Sequence, residues 1–150
     1  MGLTLAFSKI HSTGCYTNMP IPKGTFVIEY TGPRLTVAEA DELYAEQEET
    51  YLFGLEDGKQ VIDGYGIAAF INHSCDPNCQ TTEDEHGRVW IFALRDIAAG
   101  EELTYDYGLY DGDEDDPSTC VCGAKTCRGT LYSEEEIERR AEERNAPAEA

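Results

Sequence analysis

From Lys23 to Thr31 apolar side chains alternate with others, with Phe26, Ile28 and Tyr30 on one face and Gly24 and Gly32 bracketing the run. Period-two alternation between turn residues predicts a strand. Thr36-Val37-Ala38-Glu39 has the form of a capping box, in which a hydroxyl and a carboxylate satisfy the first free amides of a helix. Val37, Ala40, Leu43 and Tyr44 then recur at helical spacing, predicting a short amphipathic helix to about Glu48. Tyr51 to Leu55 and Gln60 to Ile62 are apolar-rich pieces on either side of Asp57-Gly58, a pair that tolerates the positive φ of a tight hairpin turn. A second hairpin is expected around His86-Gly87. Its outgoing arm, Arg88 to Arg95, is apolar on both faces, as a central strand would be.

Gly64 to Asn78 keeps neither period, and its Gly, Asn, Ser and Pro content marks an irregular segment of the kind that carries function on a rigid scaffold. Asp111 to Asp116 reads as an acidic linker. Ser133 to Arg144 has the caps of a helix in Ser133 and Glu136, but Ile137 is almost its only large apolar residue, so a solvated, partly frayed tail is expected. Ile21-Pro22-Lys23-Gly24 and Ile97-Ala98-Ala99-Gly100 look like similar turns leading into strands. The fold class is thus mostly β with short helices, and 150 residues suit one domain.

Charge narrows the partners. Thirty acidic residues against 11 basic ones give a formal charge of -19, with the excess on both sides of Asp111. Such a surface repels phosphate backbones, so no direct nucleic-acid binding is expected, and it steers basic chains such as lysine-rich tails. Solubility alone would also account for it. No run of about 18 apolar residues is present, nor a basic stretch followed by an apolar one at the N-terminus, so a soluble, intracellular protein away from membranes is expected. Six cysteines admit a disulfide framework and hence a secreted domain. Cys120 and Cys122 are too close to pair comfortably, however, and Cys120 to Cys127 is too short to bury a core, so metal binding is the better reading of Cys120, Cys122 and Cys127.

Three segments occur in order: Phe70-Ile71-Asn72-His73-Ser74-Cys75-Asp76-Pro77-Asn78, Gly100-Glu101-Glu102-Leu103-Thr104-Tyr105-Asp106-Tyr107, and Cys120-Val121-Cys122 with Cys127. With Ile21-Pro22-Lys23-Gly24 and Glu29-Tyr30-Thr31-Gly32 ahead of them, the chain from about Ser8 to Tyr132 resembles the SET-domain protein-lysine methyltransferases with a post-SET zinc segment. The resemblance implies small curved sheets in which the Asn72-His73 and Tyr105-Tyr107 segments pass through one another as a pseudoknot. It implies a SET domain over 4–110, a post-SET zinc segment over 117–133 and an acidic tail over 134–150. The implied reaction uses S-adenosylmethionine to methylate lysine in a basic protein, histone-like or ribosomal; an alternative is an inactive, zinc-stabilised peptide-binding module.

Methyl transfer needs a neutral amine, whereas a free lysine has a pKa of about 10.4. A dehydrated aromatic channel beside the sulfonium lowers it by desolvation and like-charge repulsion, and Tyr30, Tyr105 and Tyr107 suit its walls. Tyr107 matches the family's catalytic tyrosine and Tyr105 its Tyr/Phe switch position, implying mono- or dimethylation; outside the resemblance, all three would read as packing residues. Cofactor binding maps to His11, Thr13, Gly14, Tyr51, Asn72 and His73, the last two mainly through backbone contacts to adenine, although His73 alone would read as a structural histidine. For zinc, the resemblance adds Cys75 to Cys120, Cys122 and Cys127, leaving Cys15 and Cys79 free. Two departures stand out: Ser12 where the family has the first glycine of its loop, and Ala69 where it commonly has an arginine. Location follows the source, being nuclear or chromatin-associated in a eukaryote and cytoplasmic in a bacterium.

Overall fold

The computed structural model describes residues 2–47, 50–109 and 117–145. In chain order its elements are β1 (Leu3–Phe7), β2 (Thr13–Thr17), β3 (Phe26–Tyr30), β4 (Arg34–Thr36), α1 (Val37–Leu43), β5 (Leu52–Gly54), β6 (Gln60–Asp63), β7 (Asn72–His73), β8 (Cys79–Glu83), β9 (Val89–Ala93), β10 (Thr104–Tyr105) and α2 (Glu134–Asn145). Among the described residues they form four small sheets: β1-β2, β3-β9-β8, β4-β6-β5 and a parallel pair of β7 with β10. The core between them is built on Ile21, Ile71, Ile91, Ile97 and Leu103, all at most 1% exposed.

Both expected hairpins form, with Gly58 at φ 70° and Gly87 at φ 72° in their turns. β9 is the central strand of its sheet; Val89, Ile91 and Ala93 are buried on one side, while Trp90 and Phe92 are half-buried on the other beside Phe26. Strand β3 is shorter than its alternation predicted. Its register against β9 shifts between Phe26 and Ile28, and this bulge turns Val27 into the core and leaves Phe26 exposed. Phe26, Ile28 and Tyr30 therefore do not share one face.

The capping box is present in both directions, Glu39 N–H to Thr36 Oγ1 at 3.1 Å and Thr36 N–H to Glu39 Oε1 at 3.0 Å. The helix ends at Leu43 rather than near Glu48, which lies outside the described residues; Tyr44 donates its hydroxyl to Asp63. The two similar turns pair with each other, as Ile21 and Ile97 exchange hydrogen bonds of 2.9 and 2.8 Å. Helix α2 is largely exposed, as its composition indicates, but its first turns are anchored. Ser133 caps it through Glu136 N–H, Glu136 is buried under Arg139 and Arg140, and the Arg140 guanidinium lies 3.9 Å above the Tyr132 ring. The acidic linker Asp111 to Asp116 falls outside the described residues. No helix among the described residues is long and apolar enough to cross a membrane.

Candidate functional site

β7 and β10 lie side by side, with Asn72 opposite Thr104 and His73 opposite Tyr105. Two segments some 30 residues apart in sequence thus share one short parallel ladder, the contact that crossing segments of a pseudoknot require. Asn78 locks it: its side chain donates to the Glu102 carbonyl at 2.8 Å and accepts from Thr104 N–H at 2.9 Å. Just past the ladder, Tyr107 N–H donates to His73 Nδ1 at 2.9 Å, and the Tyr107 hydroxyl donates to the Ile71 carbonyl at 2.6 Å. The catalytic candidate is therefore fixed at both ends.

Its neighbours are aromatic. The Tyr105 and Tyr107 rings are 4.8 Å apart, Phe53 is 6.2 Å from Tyr105, and Tyr30 is 5.2 Å from Phe53. The Tyr30 hydroxyl donates to the Tyr51 carbonyl, and a Cβ at Gly64 would come within 2.4 Å of that hydroxyl, so only glycine fits there. Burial pushes the phenols of Tyr30, Tyr105 and Tyr107 well above their ordinary value; the Asp63 carboxylate and the Tyr51 phenol add to the effect at Tyr30, neighbouring phenols at Tyr105, and Tyr30, Glu102 and Tyr51 at Tyr107. His73 is buried and its pKa falls to about 4, so its ring is neutral and accepts the Tyr107 amide; it is not a base poised near neutrality.

Two cavities meet at Tyr107. One, of about 290 Å³, is lined by Tyr30, Phe53, Tyr105 and Tyr107 together with the β5–β6 hairpin. The other, of about 470 Å³, is lined by Ile10 to Thr13, Phe70, Asn72, His73, Cys120 and Val121. Thr50, Tyr51, Leu52, Ala69, Tyr107 and Leu109 line both. Among the described residues no aspartate, glutamate, lysine or arginine lines either cavity. Ala69, the position that departs from the family pattern, is a small side chain at their junction.

Of the residues singled out for the cofactor, His11, Thr13, Tyr51, Asn72 and His73 line the larger cavity. Gly14 is not among the described lining residues; it is buried behind the loop, where a Cβ would stand 2.3 Å from Glu102 Oε2. The Asn72 side chain, which the sequence reading left aside in favour of its backbone, donates to the His11 and Thr13 carbonyls at 3.2 Å each and to Glu102 Oε2 at 2.9 Å. Glu102 carried no role in that reading either, although it stands inside one of the quoted motifs. Its acceptor pattern depends on residues far away in sequence, which spacing does not reveal. Ser12 adopts φ 33°, the left-handed region in which a glycine would be unstrained.

Cys75, Cys120, Cys122 and Cys127 come together with all four sulfurs within 4.8 Å of one another. Sulfurs around a zinc at about 2.3 Å stand roughly 3.8 Å apart, and the Cys75–Cys120 separation is 3.9 Å. Backbone amides of Cys75, Cys122, Arg128 and Gly129 donate to these sulfurs, as thiolates require. Burial opposes ionisation of Cys122, but the Cys75 and Ala124 amides and the adjacent thiols bring it down to about 6. The cluster fits a zinc-binding segment. Cys15 and Cys79 lie elsewhere in the core, where burial pushes their thiols up to about 11 and about 12. No disulfide joins any of the six cysteines, against the disulfide alternative. One link ties this segment to the tyrosine motif: the Arg128 guanidinium donates twice to the Asp106 carboxylate, at 2.9 Å each.

The family model described as SET domain matches residues 12–108. The chain is 43% identical over 141 residues to a "Histone-lysine N-methyltransferase, H3 lysine-4 specific" of Eremothecium gossypii, covering 86% of this chain and 14% of that protein. It is 41% identical to "Histone-lysine N-methyltransferase ATX2" of Arabidopsis thaliana over 91% of this chain and 14% of the relative. To "Histone-lysine N-methyltransferase trr" of Drosophila melanogaster it is 42% identical, over 83% of this chain and 6% of the relative. The chain thus spans a small part of the length of these curated relatives.

Proposed function

The chain belongs to the SET-domain family, and from that premise we propose that it transfers a methyl group from S-adenosylmethionine to a lysine of a basic protein, with histone H3 the first substrate to test. The observation that carries this reading is the meeting of two cavities at Tyr107, one lined by the loop and motif assigned to the cofactor and one walled by aromatic rings. A lysine in the aromatic cavity meets no carboxylate among the described lining residues. Burial there, beside a sulfonium, favours loss of its proton and hence the nucleophilic amine. An amine and a methyl carbon held in line about 3 to 3.5 Å apart need little else, since positioning supplies much of the rate.

In this reading Tyr107 is the catalytic tyrosine, Tyr105 and Tyr30 wall the amine, and His11, Thr13, Tyr51, Asn72 and His73 serve the cofactor directly, while Gly14, behind the loop, serves it by letting Glu102 approach. Cys75, Cys120, Cys122 and Cys127 hold one structural zinc. That ion would fasten the 117–133 segment over the larger cavity, to which Cys120 and Val121 already contribute. The SET domain is taken as 4–110 and the acidic tail as 134–150. A nuclear, chromatin-associated setting agrees with the similarity to histone-lysine N-methyltransferases. The test is transfer of a labelled methyl group to histone H3 and a panel of other basic proteins, with mass spectrometry of the product. Lysine methylation is expected; binding of basic peptides without transfer would point instead to a peptide-binding module.

A further inference from the structure

Ser8, Asn72 and Glu102 come from three parts of the chain and meet behind the loop that lines the larger cavity. The Ser8 hydroxyl donates to the Glu102 carboxylate, with both oxygens at 2.8 Å, while its oxygen accepts the Ile10 amide at 3.0 Å. Ser8 N–H closes the loop onto the Ser12 carbonyl at 3.0 Å. Asn72 Nδ2 donates to the second Glu102 oxygen and to the His11 and Thr13 carbonyls, while the nearby Tyr16 hydroxyl spends its proton on the Phe7 carbonyl at 2.8 Å. Gly14 leaves room for the carboxylate to approach so closely. We propose that Glu102 is a positioning residue for cofactor binding: it touches neither substrate nor cofactor, and sets the position of the 8–13 loop through Ser8 and Asn72.

The arrangement asks for a carboxylate. Two donors, the Ser8 hydroxyl and Asn72 Nδ2, converge on its two oxygens, and hydrogen bonds to an ionised acceptor are stronger than neutral ones. A glutamine would offer one acceptor and turn an NH₂ toward groups that are already donating. The loop would then lose its brace on one side, and the strained Ser12 would be free to relax. The β7–β10 ladder would remain, because the Asn78 hooks use the Glu102 carbonyl and the Thr104 amide and not the Glu102 side chain.

This inference rests on the methyltransferase reading, and calorimetric titration with S-adenosylmethionine separates the two. If the unmodified protein binds no cofactor, the reading itself fails. If it binds, Glu102→Gln should weaken cofactor affinity about 10- to 100-fold, as expected for loss of bonds to a charged group. The cofactor KM should rise in parallel, while kcat at saturating cofactor and the peptide KM change less than about 3-fold. Ser8→Ala should act in the same direction, and the double variant should lose less than the product of the two, since both break one link. Equal cofactor affinity in both single variants overturns the proposal, as does a loss confined to kcat. If Glu102→Gln does not fold, Ser8→Ala decides: unchanged affinity overturns the proposal and weakened affinity with an unchanged melting temperature upholds it.

Discussion

Tyr105 and Tyr107 are adjacent rings with different surroundings. The Tyr107 hydroxyl is committed to the Ile71 carbonyl at the junction of the cavities, whereas the Tyr105 ring stands between Phe53 and Tyr107 on the aromatic side. Tyr107→Phe should therefore reduce turnover to near the limit of detection with little change in melting temperature. Tyr105→Phe should keep turnover and shift the product toward higher methylation, since losing a hydroxyl frees space beside the amine. Mass spectrometry of the product checks both, and efficient trimethylation by the unmodified protein would sink the second. The raised phenols also set a pH dependence. Folding favours their neutral form, so their contribution is fully present below the unfolded value of about 10 and is lost as pH rises through the higher folded values. In an alkaline titration followed by phenolate absorbance, these three should ionise last and together with unfolding; early ionisation of three extra phenols would contradict the burial described. At this scale the motifs made the tyrosines, cysteines and histidine legible. The Asn72 side chain, Glu102 and Arg128 were not, because their roles consist of contacts to distant residues. Ser12 lies between: its place in a glycine-rich pattern was visible, its φ of 33° was not. Relief of that strain, set against the greater freedom of an unfolded glycine, should leave Ser12→Gly at least as stable as the parent, whereas Ser12→Val should cost about 1–2 kcal/mol in denaturant unfolding.

The elements that announced themselves in sequence were those stabilised locally. A capping box and two glycine turns carry their own hydrogen-bonding logic within a few residues, and all three form where expected. The β1–β2 hairpin had no such signal, since Thr13-Gly14-Cys15-Tyr16-Thr17 has no clean alternation and its strand is fixed by Leu103 N–H donating to the Cys15 carbonyl at 2.7 Å. The bulge at Val27 is likewise a property of the pairing with β9. The cysteine segment is the extreme case: its residues 117–133 include no strand or helix among the described elements, and besides a few turn and bridge hydrogen bonds it is held by four clustered sulfurs and the Arg128–Asp106 pair. Zinc in a small thiolate site can contribute on the order of 10 kcal/mol, far above an ion pair that is partly open to solvent. Chelation should accordingly release 117–133, seen as faster amide exchange confined to that segment, and weaken cofactor binding through the loss of the cavity wall at Cys120 and Val121. Full zinc content in a Cys122→Ser, Cys127→Ser double variant would show that these four cysteines are not the site.

Over the whole molecule the charge of -19 and the uncharged cavities have to be reconciled, because a carboxylate inside the amine channel would stabilise the ammonium and oppose catalysis. The structure keeps carboxylates out of the described lining. Walls of the channel among the described residues are aromatic, aliphatic, amide or hydroxyl, and the Asp63 carboxylate acts on the Tyr30 phenol without lining the cavity; other carboxylates neighbour the lining in sequence, Asp57 before Gly58, Glu56 after Leu55 and exposed Glu39 two residues beyond Val37. From there they attract a basic chain over tens of ångströms at low salt without touching the reacting amine. Screening shortens that reach to roughly 10 Å at 0.1 M ionic strength. The KM for a lysine-rich peptide should therefore rise with salt while kcat stays nearly constant, since steering acts on encounter and not on the bound geometry. Neutralising such carboxylates with Glu56→Gln and Asp57→Asn should flatten the salt dependence and leave cofactor affinity unchanged. A peptide KM that is the same at low and high salt would assign the negative surface to solubility alone, and a salt-sensitive kcat would place a carboxylate within reach of the amine, contrary to the lining described.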